Sequence, residues 1–325
     1  MAKRLSSVVG VDIGPSFIKV AEVRSQGGQP VVTALGKSPT PLNTVDHTGI
    51  IDPENVGIAV RQACAEAGAS VGDIVVSVAG QQSVLVRTLE VPVMNEADLK
   101  SHMEWEVTRN IPFNESDVER DYKAYPPTDA ASQNMDVVMA LSPRSAINNI
   151  VALTKKAGKK AAAIDVEPLA IARVLSSNYG EEFRGRSVCV VEMGSKTSAI
   201  NIYRDGRLLM PRQVPIGGEM FTREIADAMG VTFDEAENIK RTQLEIPQNA
   251  TPQTYNPFDS GATMQPYNPF ADPLENAPAP APVEEAPPAP APANNAVYVH
   301  VMQVLEETVA EIRRSVDYFR GKGGE

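Results

Sequence analysis

Near the N-terminus, hydrophobic residues form two short runs separated by a polar turn. The first run contains Val8, Val9, Val11 and Ile13, and the second contains Phe17, Ile18 and Val20. Between them stands Gly14-Pro15-Ser16, a combination that is typical of tight turns. Short runs rich in Val and Ile and bounded by turn residues are typical of β-strands. The pattern therefore predicts a strand, a tight turn and a second strand.

The same order of elements recurs in the second half of the chain. Residues 187–191 form an apolar run, residues 192–198 form a polar segment that contains Gly194, and residues 199–203 form a second apolar run. An Asp205-Gly206 pair follows, and this dipeptide is a strong signal for the turn of another hairpin. We therefore predict two similar strand–turn–strand units.

A further strand and a helix are predicted in the first half of the chain. Residues 84–89 alternate in the manner of a half-buried strand. Asn95 is expected to cap a helix that carries Leu99, Met103 and Val107 on one stripe.

Two more helices are predicted in the second half. Thr232 and Glu235 have the spacing of a capping box, which marks the start of a helix. A long core helix is predicted from a stripe of residues at helical spacing: Val297, Val301, Leu305, Thr308, Ile312, Val316 and Phe319.

One segment differs from the rest in composition. Residues 247–296 are rich in Pro and Ala and too poor in apolar residues to fold alone, so we predict a disordered insert. Within it, Tyr255-Asn256-Pro257-Phe258 recurs as Tyr267-Asn268-Pro269-Phe270. The repeat is either a duplicated docking motif or part of a low-complexity linker, and the sequence leaves both interpretations open.

Composition and charge exclude several classes of protein. The 325 residues carry a formal net charge of −11, which argues against a nucleic-acid partner because phosphate contacts need clustered Lys and Arg. The densest basic run, Lys155-Lys156 with Lys159-Lys160, is interpreted as one solvated helix face. Two distant cysteines offer no disulfide framework, and neither a signal peptide nor a membrane-spanning run is recognisable. We expect a cytoplasmic protein.

The two predicted turns share a pattern of polar side chains. An acid stands two residues before a glycine, and hydroxyl or lysine side chains follow it: Asp12, Gly14, Ser16 and Lys19 in the first turn, and Glu192, Gly194, Ser195 and Thr197 in the second. Glycine lets the backbone approach a phosphate, hydroxyl and amide groups bind its oxygens, and a carboxylate holds Mg²⁺ or its waters. One such turn is a weak indication, whereas two predict similar lobes that close on one nucleotide.

These segments resemble those of the actin-like ATPase superfamily. Residues 11–20 resemble its first phosphate loop, and Asp165–Ala170 resembles its first connecting segment, in which a Glu-Pro pair lies near the catalytic water. Ala236–Lys240 matches a helix whose Glu and Lys approach the adenosine in that superfamily. Here these residues are Glu237 and Lys240, which are three apart and therefore share a helix face.

The first half of the chain gives a narrower resemblance, to the PilM family of type IV pilus assembly proteins. The segments that carry it follow one another as Arg87–Pro92, Glu96–Leu99, Glu104–Phe113, Asp121-Tyr122 and a strand over Asp136–Leu141. The resemblance implies an α/β, actin-like ATPase fold of two similar lobes with an inserted small FtsA-type α+β subdomain. The first lobe is expected at 1–185, with the subdomain at about 84–160. The second is expected at 186–325, interrupted by the insert at about 247–296 and incomplete at its C-terminus.

The resemblance also implies roles for individual residues. ATP phosphates are expected to contact Gly14, Ser16 and Lys19 on one side and Gly194, Ser195 and Thr197 on the other, with Asp12 and Glu192 around Mg²⁺ and Glu167 orienting water. Asp12 and Glu167 are thus the catalytic candidates. Gly217-Gly218 opens a helix expected beside the nucleotide, although close helix packing explains these glycines equally well. Glu192 replaces the usual Asp, so any hydrolysis is expected to be slow.

The implied function is that of a cytoplasmic, ATP-binding scaffold of type IV pilus assembly. Such a scaffold would bind the N-terminal peptide of the inner-membrane protein PilN, and would communicate with the pilus motor ATPases and the inner-membrane platform protein. Its association with the inner membrane would run through these partners. Two alternatives stay open: an FtsA-like cytoskeletal or division protein, and a slow actin-like ATPase or kinase for which Asp165 and Glu167 are the candidate bases.

Overall fold

The computed structural model describes residues 5–113, 117–127, 132–246 and 295–322, which form twelve strands and seven helices. The strands are β1 (Ser7–Ile13), β2 (Phe17–Gln26), β3 (Gln29–Pro39), β4 (Asp73–Val78), β5 (Leu85–Pro92), β6 (Val118–Tyr125), β7 (Asn134–Pro143), β8 (Lys160–Val166), β9 (Ser187–Met193), β10 (Ser198–Arg204), β11 (Arg207–Met210) and β12 (Gln213–Val214). The helices are α1 (Pro53–Ala67), α2 (Glu96–Asn110), α3 (Arg144–Lys156), α4 (Glu167–Tyr179), α5 (Gly218–Met229), α6 (Phe233–Gln243) and α7 (Asn295–Gly321).

A five-stranded sheet in the order β3-β2-β1-β4-β8 organises the first half of the chain. β1 pairs parallel with β4, and β4 with β8, so the carboxyl ends of these three strands lie at one edge. β2 and β3 are antiparallel additions, and the predicted β1–β2 hairpin is confirmed with Asp12 opposite Lys19. Ligands of open α/β sheets bind beyond the carboxyl ends of the strands. Asp12 and the start of α4 therefore lie where a ligand is expected.

Helices α1 and α3 pack on this sheet and on each other. Their shared core includes Val9, Val56, Ile74 and Leu153, each fully buried. Burial of an aliphatic side chain of this size contributes about 1.5–3 kcal/mol. Gly57 permits the close crossing of the two helices, because a Cβ there would lie 2.6 Å from the carbonyl oxygen of Leu153. The carboxyl edge is thus carried by a tightly packed layer.

A separate three-stranded sheet, in the order β5-β7-β6, packs with α2 around its own apolar core. The predicted cap of α2 is confirmed, since the Asn95 side chain accepts a hydrogen bond from the N–H of Asp98 at 3.0 Å. The predicted stripe of Leu99, Met103 and Val107 is buried in that core. This α+β unit ends with β7 at Pro143, within the range of about 84–160 expected for the inserted subdomain, whereas α3 in the later part of that range packs on the five-stranded sheet.

The second predicted hairpin is formed by β9 and β10, and β10 also pairs with β11 and β12. Asp205 and Gly206 connect β10 to β11 with φ angles of 49° and 74°. Two positive φ angles define the type I′ turn that this dipeptide favours. Arg212, which follows β11, donates hydrogen bonds to Glu311 at 2.5 Å and to Ser315 at 3.0 Å, and so links this sheet to the later half of α7.

The described residues separate into two compact units: residues up to Met220 together with those from Glu306 onward, and Phe221–Leu305. In the second unit, the capping box of Thr232 and Glu235 at the start of α6 is confirmed. The lobe boundary expected between residues 185 and 186 stays a prediction. The proline-rich insert and its Tyr-Asn-Pro-Phe repeat lie outside the described residues, apart from residues 295 and 296, where α7 begins.

The basic run at residues 155–160 does not form one helix face, so that interpretation is wrong. Helix α3 ends at Lys156, because Gly158 adopts the left-handed conformation with φ of 69°. Lys159 then donates from Nζ to the carbonyl oxygens of Ala69 at 3.2 Å and Val71 at 2.8 Å, and Lys160 begins β8.

Candidate functional site

The two glycine turns have the same backbone hydrogen bond. In the β1–β2 hairpin the N–H of Gly14 donates to the carbonyl oxygen of Phe17 at 3.0 Å, and in the β9–β10 hairpin the N–H of Gly194 donates to that of Thr197 at 3.0 Å. A Cβ on Gly14 would lie 3.3 Å from the Phe17 oxygen, and a Cβ on Gly194 only 2.7 Å from the Thr197 oxygen. Both positions favour glycine, the second more strictly.

Thr40, just after β3, holds the first turn from behind. Its Oγ1 donates to the carbonyl oxygen of Gly14 at 2.7 Å, and its N–H donates to that of Ser16 at 3.0 Å. Thr40 is 8% exposed, so these bonds are shielded from competition with water. No local pattern of residues indicates this contact, because Thr40 and Gly14 meet only through the pairing of β2 with β3.

Backbone groups at the start of α5 hold the second turn in the same way. The N–H groups of Gly218 and Glu219 donate to the carbonyl oxygens of Gly194 at 2.9 Å and Ser195 at 2.8 Å. Gly217 is required for this approach, since a Cβ there would lie 2.4 Å from the Ser195 oxygen. Gly217 thus serves close packing, the alternative that the sequence left open, whereas Gly218 takes part through its backbone N–H. Their predicted contact with a nucleotide stays a prediction.

Lys19 and Asp12 form an ion pair across the first hairpin. The Nζ–Oδ2 distance is 2.9 Å, and the side chains are 58% and 49% exposed. The hydrogen bond to Asp12 raises the pKa of Lys19; burial opposes the shift, and the charges of Glu192 and Glu167 add to it more weakly. The ammonium group of Lys19 therefore interacts electrostatically with acids of both hairpins and of α4.

Glu167 and Glu192 form a carboxyl–carboxylate pair at the same edge. Burial, the charge of Glu192, a hydrogen bond with it and the charge of Asp12 raise the pKa of Glu167 to about 8, against the opposing effect of Lys19. Two neighbouring carboxyl groups share one proton because both cannot ionise without strong repulsion. The structure thus brings together four of the residues selected from the sequence: Asp12, Lys19, Glu167 and Glu192. Three of them are acids and one is a base, so the cluster favours the binding of a cation.

The donor set at this edge fits a phosphate and one Mg²⁺. The Ser195 hydroxyl is shielded from solvent and, within the described ranges, has no hydrogen-bond partner, so a phosphate oxygen could accept from it. Across the same ranges, no three His, Cys, Asp or Glu side chains converge closely enough to hold a metal unaided. Mg²⁺ normally takes one or two carboxylates and completes its shell with waters and phosphate oxygens. Asp12 and Glu192 match that requirement.

Glu237 and Lys240 lie in the second compact unit, where they bind each other at 2.6 Å. Glu237 also accepts hydrogen bonds from Thr222 at 2.6 Å and Arg241 at 2.7 Å, and Lys240 donates to Thr222 at 2.8 Å. Burial raises the pKa of Glu237, but the three donors outweigh it and lower the value to about 2. These bonds tie α5 to α6, and a contact with adenosine stays a prediction.

Asp165, the other candidate base, is held by a partner. Its carboxylate forms an ion pair with Arg173 of α4 and accepts a hydrogen bond from the N–H of Val166 at 2.9 Å. Both oxygens of this carboxylate are thus already engaged by donors. Glu167 is therefore the better-placed acid near the two turns.

A buried tyrosine near Glu167 was missed by sequence reasoning. Tyr203 lies on β10 with 2% exposure, and its hydroxyl donates to the carbonyl oxygen of Pro168 at 3.0 Å. An apolar strand position gives no sign of such a long-range hydrogen bond, so the sequence offered no signal for it.

The sheets, the matched hairpins and the inserted α+β unit define an actin-like α/β fold. A solved structure of a PilM–PilN type IV pilus biogenesis complex matches with a TM-score of 0.74 at 22% identity, over 99% of this chain and 80% of that one. A family model described as type IV pilus assembly protein PilM matches residues 10–266. The chain therefore belongs to the PilM family.

Cell division proteins FtsA are more distant relatives. FtsA of Escherichia coli K12 is 25% identical over 258 residues, which cover 72% of this chain and 59% of the relative. FtsA of Bacillus subtilis strain 168 is 24% identical over 98 residues, 30% of this chain and 22% of the relative. The matched regions thus span less than two thirds of these relatives. Among the described helices, none combines the length and the apolar character of a membrane span.

Proposed function

We propose that this chain is an ATP-binding scaffold of type IV pilus assembly. One observation carries the proposal: two glycine turns with the same backbone geometry meet a shared cluster of Asp12, Lys19, Glu167 and Glu192. Membership of the PilM family supports the pilus context. The two lobes at 1–185 and 186–325 are part of the same proposal.

In this proposal, different residues of the two turns bind the phosphates and the Mg²⁺ ion. Lys19, exposed and paired with Asp12, exchanges this partner for a phosphate oxygen, while the Ser16 and Ser195 hydroxyls and the glycine turns donate to others. Mg²⁺, when bound, neutralises phosphate charge. Asp12 and Glu192 hold it or its waters, which relieves the repulsion among the acids at this edge.

Hydrolysis is slow in this proposal. Glu167, with a pKa of about 8, retains a proton near neutral pH, and a protonated carboxyl group cannot act as a general base. The extra methylene of Glu192, relative to Asp, further alters the position of its carboxylate. The chain therefore acts by binding ATP rather than by turning it over rapidly.

The partner in this proposal is the N-terminal peptide of PilN. The related solved structure is a PilM–PilN complex, which supports this choice. The chain works in the cytoplasm and reaches the inner membrane through such partners. The pilus motor ATPases and the inner-membrane platform protein are proposed as further contacts.

Calorimetric titration with Mg·ATP tests the nucleotide site. Because Lys19 and Asp12 meet phosphate and metal, Lys19→Ala and Asp12→Ala should each weaken affinity by about tenfold or more, the loss of a charge-assisted hydrogen bond of ~1.5–3 kcal/mol. The fold should persist, as circular dichroism would show. Lys100→Ala, at an exposed position of α2, is the matched control and should bind as the unmodified chain does. Equal affinity in all variants would refute the assignment.

A second titration tests the scaffold role. A synthetic PilN N-terminal peptide is added with and without Mg·ATP, and tighter peptide binding in the presence of nucleotide is the expected result. By thermodynamic linkage, the peptide should tighten ATP binding by the same factor. Peptide binding that is indifferent to ATP would reduce the chain to a passive adaptor.

A further inference from the structure

Tyr203 links the second hairpin to the segment that carries Glu167. It lies on β10, the strand that leaves the Gly194 turn, and is paired with Val188 of β9 and Leu208 of β11. Its ring is buried in an apolar cluster with Val138, Ala172 and Leu208. The hydroxyl emerges from this cluster to donate to the carbonyl oxygen of Pro168 at 3.0 Å.

The position of this hydrogen bond matters because α4 starts at Glu167. Within the described chain, the N-cap residue Val166 provides no side-chain hydrogen bond to the first turn of α4. Pro168 follows Glu167 directly, so its carbonyl group lies in the first turn of α4, one peptide unit beyond the residue that carries the candidate catalytic carboxyl. Burial and, less strongly, the charge of Glu167 raise the pKa of Tyr203 against the opposing effect of a hydrogen bond with Asn201, so the hydroxyl is a donor at neutral pH.

We propose that Tyr203 is a positioning residue that fixes Glu167 relative to the second phosphate loop. This inference rests on the proposed function, since it gives Tyr203 a role in the same nucleotide site. Strand β10 connects the Gly194 turn to Tyr203, and the hydroxyl connects Tyr203 to Pro168. A displacement of the second turn on nucleotide binding is thereby passed to Glu167 through one hydrogen bond.

Hydrogen exchange tests the anchor without any nucleotide. Tyr203→Phe removes the hydroxyl and keeps the packed ring, so the fold should persist. Amides in the second turn of α4, whose N–H groups donate to carbonyl groups of the first turn, should exchange about fivefold faster, as expected when one hydrogen bond that resists local opening is lost. Tyr122→Phe is the matched control, because Tyr122 packs against the separate core of the small sheet. Unchanged exchange in α4 would overturn the proposal.

A double-mutant cycle on Mg·ATP affinity tests whether Tyr203 acts through Glu167. Tyr203→Phe should weaken binding about threefold to tenfold in the unmodified chain and less than about twofold in the Glu167→Gln background. Equal weakening in both backgrounds would overturn the positioning role. If the unmodified chain does not bind Mg·ATP, the proposed function fails, and the exchange measurement alone still decides whether Tyr203 anchors α4.

Discussion

The two glycine hairpins are alike in backbone and different in charge. Both close with an N–H···O bond of 3.0 Å from their glycine, and both are held from behind through carbonyl groups of the turn. In the first, Asp12 has Lys19 as a partner at 2.9 Å. In the second, Glu192 has another acid, Glu167, as its neighbour. One turn is balanced in charge, and the other carries an excess of negative charge.

The comparison shows that the shape of such a turn and its charge are set by different groups. Glycine and the hydrogen bonds behind the turn set its shape, whereas the neighbouring side chains set its charge. The first turn is held by a side chain, Thr40, and the second by backbone N–H groups of α5. Substitutions should therefore affect the two turns unequally.

The largest effect is expected at the glycines. Gly194→Ala places a Cβ 2.7 Å from the Thr197 carbonyl oxygen, so the turn must shift, at a cost of about 2–3 kcal/mol in the free energy of unfolding. Gly14→Ala meets its nearest atom at 3.3 Å and should cost less than ~1 kcal/mol, because alanine also restricts the unfolded chain. Urea unfolding of both variants measures the difference, and equal losses would mean that the turns are equally tolerant.

Replacement of Glu167 by glutamine should have an intermediate effect on stability. The pKa of Glu167 is about 8 when folded and lies near 4.5 when unfolded, so the folded chain holds the extra proton between these values. The contribution of Glu167 to stability is therefore fully present below pH 4.5 and is lost as the pH rises towards 8. Glu167→Gln should be about 1–2 kcal/mol more stable than the unmodified chain at pH 8, with little difference at pH 4.5.

Thermal unfolding of the nucleotide-free chain at pH 4.5, 6 and 8 measures this difference. Glu104→Gln, which removes an exposed acid of α2, is the control and should leave the pH dependence unchanged. The same pH dependence in Glu167→Gln and in the unmodified chain would show that no proton is held in the pair.

The smallest effect is expected behind the first turn. Thr40→Val removes the Oγ1 donor to Gly14 and keeps the side-chain shape, so it should cost about 1 kcal/mol and loosen the first turn alone. Amide exchange in both hairpins measures this, and faster exchange at Gly14 but not at Gly194 is the expected result, because these N–H groups close the two turns. Equal loosening of both turns would contradict their independent support.

Much of the local structure follows from the sequence. Apolar runs bounded by turn residues located both hairpins, and capping residues located the starts of α2 and α6, because these signals depend on residues close in the chain. The interpretation of the basic run at residues 155–160 as one helix face was wrong, because Gly158 ends the helix and Lys159 donates to backbone carbonyl groups. The site residues of the two turns were likewise recognisable from an acid, a glycine and hydroxyl groups at fixed spacing.

Only the tertiary structure decided how these pieces are held and charged. Thr40 meets Gly14 through strand pairing, Tyr203 meets Pro168 across an apolar cluster, and Glu167 meets Glu192 at a sheet edge. Each contact joins residues that are distant in the chain, so no local pattern encodes it. The sequence by itself determined which groups the protein can present to a phosphate. Burial and the approach of like charges, which exist only in the folded chain, determined their protonation and their positions.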